Sequence, residues 1–431
     1  MRLDLATYPV REVKLGSLTQ YKDGVLEIDP DALAAEVLSD PRIATARIDL
    51  ASPGESVRIW PVRDVIEPRI KVEGPGVAYP GICDRPMTLV GSGRTNRLSG
   101  VSVVEVSEVQ WHDAGHDWVW LFIDMLGPWG ELNPYSGLFN ICVVVEPHDD
   151  LDIDVKNRAV HNACLTVSDR LAATTVSAEP AKVKTYELKP SSPPLPKVVF
   201  IQGVHSSEGT SGNPNTFCTS IYGATNLELP RALHPNEMLD GAMTGPYRTA
   251  FATSWTLANN PLMEQLYARH GVDFDFVGVI PVRTEWTRQD EKDWIGQETA
   301  RLAYVMGAEG AVVTWDAGGN EQVEVIRVVQ SCERMGIKAV FVTHEDISGS
   351  ADGVSSLLEP VKELDALIST GTIGGSDSMP AILPGVERVI GSPTKLVGDL
   401  RDESIPTAGP QKALPMYDDH YGFNNLIGME Y

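Results

Sequence analysis

Five short apolar runs recur in the second half of this chain, with helical patterns between them: VVFIQGV (198–204), FVGVIPV (276–282), AVVTW (311–315), AVFVT (339–343) and ALIST (366–370). Strands apolar at consecutive positions must be buried on both faces, which a sheet covered by helices provides. Between the third and fourth runs, Val325, Val328, Val329 and Cys332 follow i, i+3, i+4, i+7 spacing, with Asn320 placed to cap a helix and Gly336 to end it. Helical patterns also cover 261–270 and 288–307. Strands alternating with helices predict an α/β fold over 198–392, a doubly wound, mostly parallel, Rossmann-like sheet.

The first half has another texture. Runs at 101–106 (VSVVEV), 118–123 (WVWLFI) and 141–145 (ICVVV) read as strands, with turn-rich segments between them. A helix is expected over 156–174, where Val160, Ala163, Cys164, Val167 and Leu171 share one apolar face. Residues 1–176 therefore read as an α+β domain. KPSSPPLPK (189–197) carries four prolines, which remove donors and fix φ, so 177–197 is expected to be an extended linker. Residues 393–431 are turn-rich and read as a tail that wraps the surface or meets a partner. A chain of 431 residues is long enough for these two cores.

The charge narrows the partners. Thirty-five Lys and Arg against 59 Asp and Glu give a net charge of −24. Phosphate backbones and anionic lipids need cations at contact, so nucleic acid and acidic membranes are excluded as partner classes. Five cysteines (Cys83, Cys142, Cys164, Cys218, Cys332) are widely spaced without a C-x-x-C, which fits a reducing compartment. The start, MRLDLATYPVREVKL, bears charges where a signal peptide needs an apolar stretch, and no apolar run reaches membrane length. The expected location is the cytoplasm.

In open parallel sheets, ligands bind beyond the carboxyl ends of the strands. Here those ends run into His205 and Glu208, into Asp316, Gly318 and Gly319, into His344, and into Thr370 and Gly371. His205, Glu208, His234, Glu237 and Asp240 are the candidate catalytic residues. Asp316, Gly318, Gly319, His344, Thr370 and Gly371 are the candidate substrate-binding residues. The pairs His205–Glu208 and His234–Glu237 share His-x-x-Glu spacing; on a helix each pair lies on one face and can hold a divalent metal or pass a proton. Pro235 suits the first position of a helix opening at His234. Cys164 lies on the apolar helix face and reads as a buried structural thiol. Gly91-Ser92-Gly93-Arg94-Thr95-Asn96 starts like a dinucleotide loop but precedes a strand, so it reads as a turn. No phosphate-binding Walker sequence and no G-x-S-x-G elbow occurs.

Long segments resemble the α/β-subunit proproteins of component B of glycine, sarcosine and betaine reductases, with D-proline reductase more distant. They include VGSGRTNRLSGVSVVEV (90–106), DMLGPWGELNPYSGLFNICVVVEP (124–147), LPRALHPNEMLDGAM (229–243), NNPLMEQLYARHGVDFDFVGVI (259–280) and 307–345. The resemblance implies a subunit of an oxidoreductase complex that reductively cleaves a carbon–nitrogen bond in a small amine. It also implies a partner subunit with a thiol or selenol, and a pyruvoyl group formed by internal cleavage at a cysteine. Counting from the matched landmarks puts that cysteine between about Gly245 and Arg248, yet residues 238–258 read MLDGAMTGPYRTAFATSWTLA, without one. Thr244, Thr249 and Ser254 carry hydroxyls but lie outside that window. The expectation is an uncut chain without a pyruvoyl group. Three readings follow: a component-B-like reductase subunit in a hetero-oligomer, a non-reductive lyase or hydrolase in which His205, Glu208, His234 and Glu237 hold a divalent metal or act as acid and base, and a non-catalytic structural subunit.

Overall fold

The computed structural model describes residues 1–109, 120–131, 133–206, 219–224, 227–245, 252–285, 287–316, 320–345, 361–372, 385–391, 413–415 and 427–429, with backbone alone at 120, 345, 371–372, 413–415 and 427–429. All five apolar runs are strands, and all are parallel. Their spatial order is Asp275–Thr284, Lys197–His205, Gly310–Trp315, Lys338–Glu345, Leu367–Thr372, with Ile427–Met429 antiparallel at the far edge. Numbered along the chain this is 2-1-3-4-5, an order with one reversal, between Lys197–His205 and Gly310–Trp315.

Both faces of the sheet are covered. On one, Val199, Ile201, Ile280, Val282 and Val313 pack under helices Gln289–Val305 and Glu321–Arg334. The predicted stripe Val325, Val328, Val329 and Cys332 is fully buried there, each valine contributing about 1.5–3 kcal/mol. The other face, with Phe200, Val204, Val279 and Val342, meets the short helices Pro235–Leu239, Ser254–Ala258 and Pro261–Arg269. Leu3, Leu5 and Tyr186 from the first half complete that layer.

Gly336 ends the Glu321–Arg334 helix at φ +82°, as its position suggested. Asn320 departs from expectation. It stands at the cap position but in helical backbone geometry, and its side chain makes no capping bond. Glu321 and Glu324 in the first turn complement the helix dipole instead.

Beside a small sheet, in which Val25–Ile28 pairs with both Glu12–Leu15 and Gln20–Lys22, the first half holds two large ones. Val57–Ile66 is central in one, whose path runs Ala413–Pro415, Trp120–Asp124, Val57–Ile66, Val101–Val106, Phe139–Pro147, Ile43–Ala51, with Arg388–Ile390 also pairing to Val57–Ile66. The other runs Lys182–Glu187, Arg2–Pro9, Gly93–Ser99, Arg69–Glu73. Helix Ile153–Ala173 buries Val160, Ala163, Cys164, Val167 and Leu171 against this half. Burial drives the Cys164 thiol well above its ordinary range, as for an inert structural cysteine. Within the stretch expected to link the halves, Lys182–Glu187 is a strand paired to Arg2–Pro9, and 188–196 carry no regular element before Lys197. Among the described residues no helix is long and apolar enough to cross a membrane.

Candidate functional site

The strand order reverses between Lys197–His205 and Gly310–Trp315, and the carboxyl ends flanking such a reversal are where doubly wound sheets place their ligands. His205 is the last residue of the first of these strands, and Asp316 follows the second. Both are buried, as is Glu321. Glu321 Oε1 lies 2.5 Å from His205 Nδ1. The His205 backbone N–H donates to Asp316 Oδ1 at 3.2 Å, and Thr219 donates its N–H to the His205 carbonyl at 2.9 Å and its hydroxyl to Asp316 Oδ2 at 3.3 Å.

A carboxylate on Nδ1 orients an imidazole and favours the Nδ1–H tautomer. The glycine two residues earlier makes room for this arrangement. A Cβ at Gly203 would lie 2.9 Å from Trp315 Cβ and 3.1 Å from Val325 Cγ2, so no side chain fits beneath the histidine. On the next strand His344 is buried and stacks on Trp315, with ring centroids 4.9 Å apart and 19° between planes. Thr370 is buried near the end of the strand beyond, which continues through the Gly371 backbone. His205, Asp316, His344, Thr370 and Gly371 thus share one sheet edge. Glu208, Gly318 and Gly319 lie outside the described residues. Sequence reasoning missed Glu321; its only local signal was an acid in the first turn of the helix that follows a strand end.

The second His-x-x-Glu pair is occupied differently. His234 caps helix Pro235–Leu239: its Nδ1 accepts the Asn236 N–H at 3.1 Å, while Glu237 Oε2 accepts the His234 N–H at 2.6 Å. This is a capping box with Pro235 in the first turn, and Tyr222 donates its hydroxyl to the other Glu237 oxygen at 2.7 Å. Burial pushes His234 down to about 4, so the ring is neutral near pH 7. Asp240, fully buried, pairs with Lys71 and accepts from Gly91 N at 2.7 Å and Thr95 Oγ1 at 2.5 Å, tying the two halves together. Among the described residues no group of three or more His, Cys, Asp and Glu is arranged to hold a metal ion. His234 and Glu237 meet each other, not His205.

A two-stranded ribbon connects this strand end to the segment that begins at Gly245. Ser220 pairs with Thr244 and Ile221 with Met243, so Thr219, which touches His205 and Asp316, sits one residue from the ribbon. The chain leaves the ribbon at Gly245, whose N–H donates to Ser254 Oγ at 3.0 Å. Ser254 in turn donates its hydroxyl to Asp64 Oδ2 at 2.6 Å and its N–H to Asp64 Oδ1 at 2.9 Å. Burial raises this Asp64 to about 6.

Sheet order and site together define a doubly wound parallel-sheet protein with a buried histidine–carboxylate pair at its strand reversal. Residues 1–402 match the family of glycine/sarcosine/betaine reductase component B subunits. The chain is 32% identical over 401 residues to the sarcosine reductase complex component B subunit alpha of Peptoclostridium acidaminophilum, spanning 91% of this chain and 89% of that one. It is 32% identical over 410 residues to the glycine reductase complex component B subunits alpha and beta of Acetoanaerobium sticklandii, spanning 93% and 91%. It is 33% identical over 395 residues to the betaine reductase complex component B subunit alpha of Peptoclostridium acidaminophilum, spanning 88% and 86%. The chain belongs to this component B family. No solved structure matches it.

No cysteine occurs between Met238 and Ala258. Gly245, which opens the expected window, is closed in: a Cβ there would lie 2.6 Å from Ala252 O and 2.8 Å from Ser254 N. Residues 246–248, the rest of the window, lie outside the described residues.

Proposed function

We propose that this chain is the component-B-type subunit of a reductase complex. It holds a small polar, amine-type substrate over His205 and Asp316 for reductive cleavage of a C–N or related C–X bond. A partner subunit supplies the thiol or selenol, so the working form is a hetero-oligomer. The observation that carries this reading is the ribbon. It joins Thr219, bonded to both His205 and Asp316, to the segment that corresponds to the processed segment of the family. This proximity supports the reading that substrate binds beside that segment.

The partner's thiolate or selenolate attacks the carbon, a C–S or C–Se bond forms as the C–N bond breaks, and the departing nitrogen takes a proton. A second thiol then attacks that sulfur or selenium, forming an S–S or S–Se bond and leaving the electron pair, and a proton, on the carbon. His205 is the group that gives the nitrogen its proton, held by the Glu321 carboxylate, which stabilises the imidazolium before transfer. Asp316, fixed by two donors, contributes negative charge that suits the nitrogen once it has taken the proton from His205. We further propose that the chain works uncut and activates no substrate through a carbonyl of its own.

Two experiments test this. A denaturing gel of the purified protein is expected to give one full-length band; two fragments overturn the uncut form. Reconstitution with the thiol-bearing partner is expected to be required for turnover of amines. Turnover by the isolated chain without any thiol reductant sinks the reductase reading and favours a lyase or hydrolase.

A further inference from the structure

Behind the His205–Glu321 pair lies a set of buried charges that the proposed reaction does not use. Lys292, from helix Gln289–Val305, is only 2% exposed, and Glu324, from the first turn of helix Glu321–Arg334, is fully buried. The Lys292 ammonium donates to two backbone carbonyls, Glu285 O at 2.5 Å and Asn320 O at 3.4 Å, and lies 3.8 Å from Glu324 Oε2. That same Glu324 oxygen accepts the Glu285 N–H at 2.8 Å. Arg283 closes the group, 3.4 Å from Glu285 Oε2 and 3.7 Å from Glu324 Oε1.

The two carbonyls identify what this group holds. Glu285 is the first residue past strand Asp275–Thr284, and Asn320 immediately precedes Glu321. Those loops leave the two strands that flank the His205 strand on either side. An ion pair that served only to join two helices would need neither carbonyl. Burying an ammonium is costly unless its donors are bonded, so one that spends them on two loops fixes the distance between them. Burial lowers Lys292 and raises Glu324 to about 7, so each charge depends on the other. Asn320 supplies its carbonyl here, in place of the capping bond its side chain does not make.

We propose that Lys292 is a positioning residue. By holding the Glu285 and Asn320 carbonyls on one ammonium, with Glu324 as counter-charge, it sets the geometry at which Glu321 meets His205. The inference rests on the proposed role of His205 only for its effect on turnover, so the primary readout is spectroscopic. The full chain, labelled with ¹⁵N-histidine, is compared with Lys292→Met and Lys292→Arg, the His205 signals being assigned by their loss in His205→Gln. The native ring is expected to show the Nδ1–H tautomer of a carboxylate-bound imidazole. In Lys292→Met the signals should move toward those of exchanging tautomers, and in Lys292→Arg they should stay near native.

In the reconstituted complex, Lys292→Met should lose about tenfold or more in kcat with KM changed less than about twofold, as for a misaligned reacting group. Unmoved His205 signals in a natively folded Lys292→Met overturn the proposal. Should that variant not fold, Glu324→Gln must shift the same signals in the same direction, and their constancy overturns it equally. If Lys292→Met moves the signals while His205→Gln leaves turnover intact, the proposed reaction falls and the positioning role stands.

Discussion

His205 and His234 are each followed three residues later by a glutamate, and the molecule uses them in opposite ways. His234 precedes Pro235, which starts a helix; its ring and Glu237 are consumed within four residues as a capping box. His205 ends a strand buried on both faces, so its ring stands at the sheet edge and takes its carboxylate from Glu321, 116 residues away. The His234 ring is thus used in a local cap, while the His205 ring meets a carboxylate far away in the chain, Glu208 lying outside the described residues. What differs is whether the backbone closes on itself.

That contrast can be broken by experiment. The largest effect is expected in the reconstituted complex, where His205→Gln should lower turnover by about 10²–10⁴-fold, the usual range for a proton donor, while His234→Asn stays within about twofold. Equal losses would erase the distinction. Next, Asp240→Ala strips Lys71 of its buried partner and should cost about 3–5 kcal/mol in denaturant unfolding. An unchanged midpoint would show that the tie between the halves carries no stability.

Glu324 sharpens the His205 side. Its carboxyl is raised from the usual 4.5 to about 7, so between these values the folded chain binds the extra proton. Stability should then fall as pH rises through that window, by roughly 3 kcal/mol in all, and Glu324→Gln should flatten the slope. A native slope of the opposite sign would refute it. The smallest effect belongs to the cap. His234, lowered from 6.5 to about 4, must stay neutral to accept from Asn236, so stability should fall as pH drops through that interval. His234→Asn keeps a capping acceptor and should remove that slope, whereas His234→Ala should cost about 1 kcal/mol near pH 7. Melting curves across pH read both.

The parallel sheet was legible because its strands are apolar on consecutive residues, a pattern few other environments tolerate. Strand Val57–Ile66 was not legible. It carries Arg58, Arg63 and Asp64, all buried, and charge in a sequence window argues for surface. Those charges are tolerated because partners arrive from elsewhere: Arg58 meets Asp124 through two bonds of 2.7 Å, and Asp64 meets Ser254, 190 residues on. Arg2–Pro9 escaped for a related reason. Its burial depends on a sheet assembled from residues near 70, 95 and 185.

The candidate site divides along the same line. The strand ends pointed to His205, Asp316, His344 and Thr370, because a parallel sheet carries its ligands there whatever the motif. Glu321, Lys292 and Glu324 were invisible, since each acts on a residue far away in the chain. By itself, the sequence determined the doubly wound sheet, the family and the absence of a cysteine between Met238 and Ala258. Only the tertiary structure decided which histidine is a cap and which meets a distant carboxylate at the strand ends. Burial follows from local periodicity, whereas the state of a titratable group follows from the charges and donors that folding brings within about 4 Å of it.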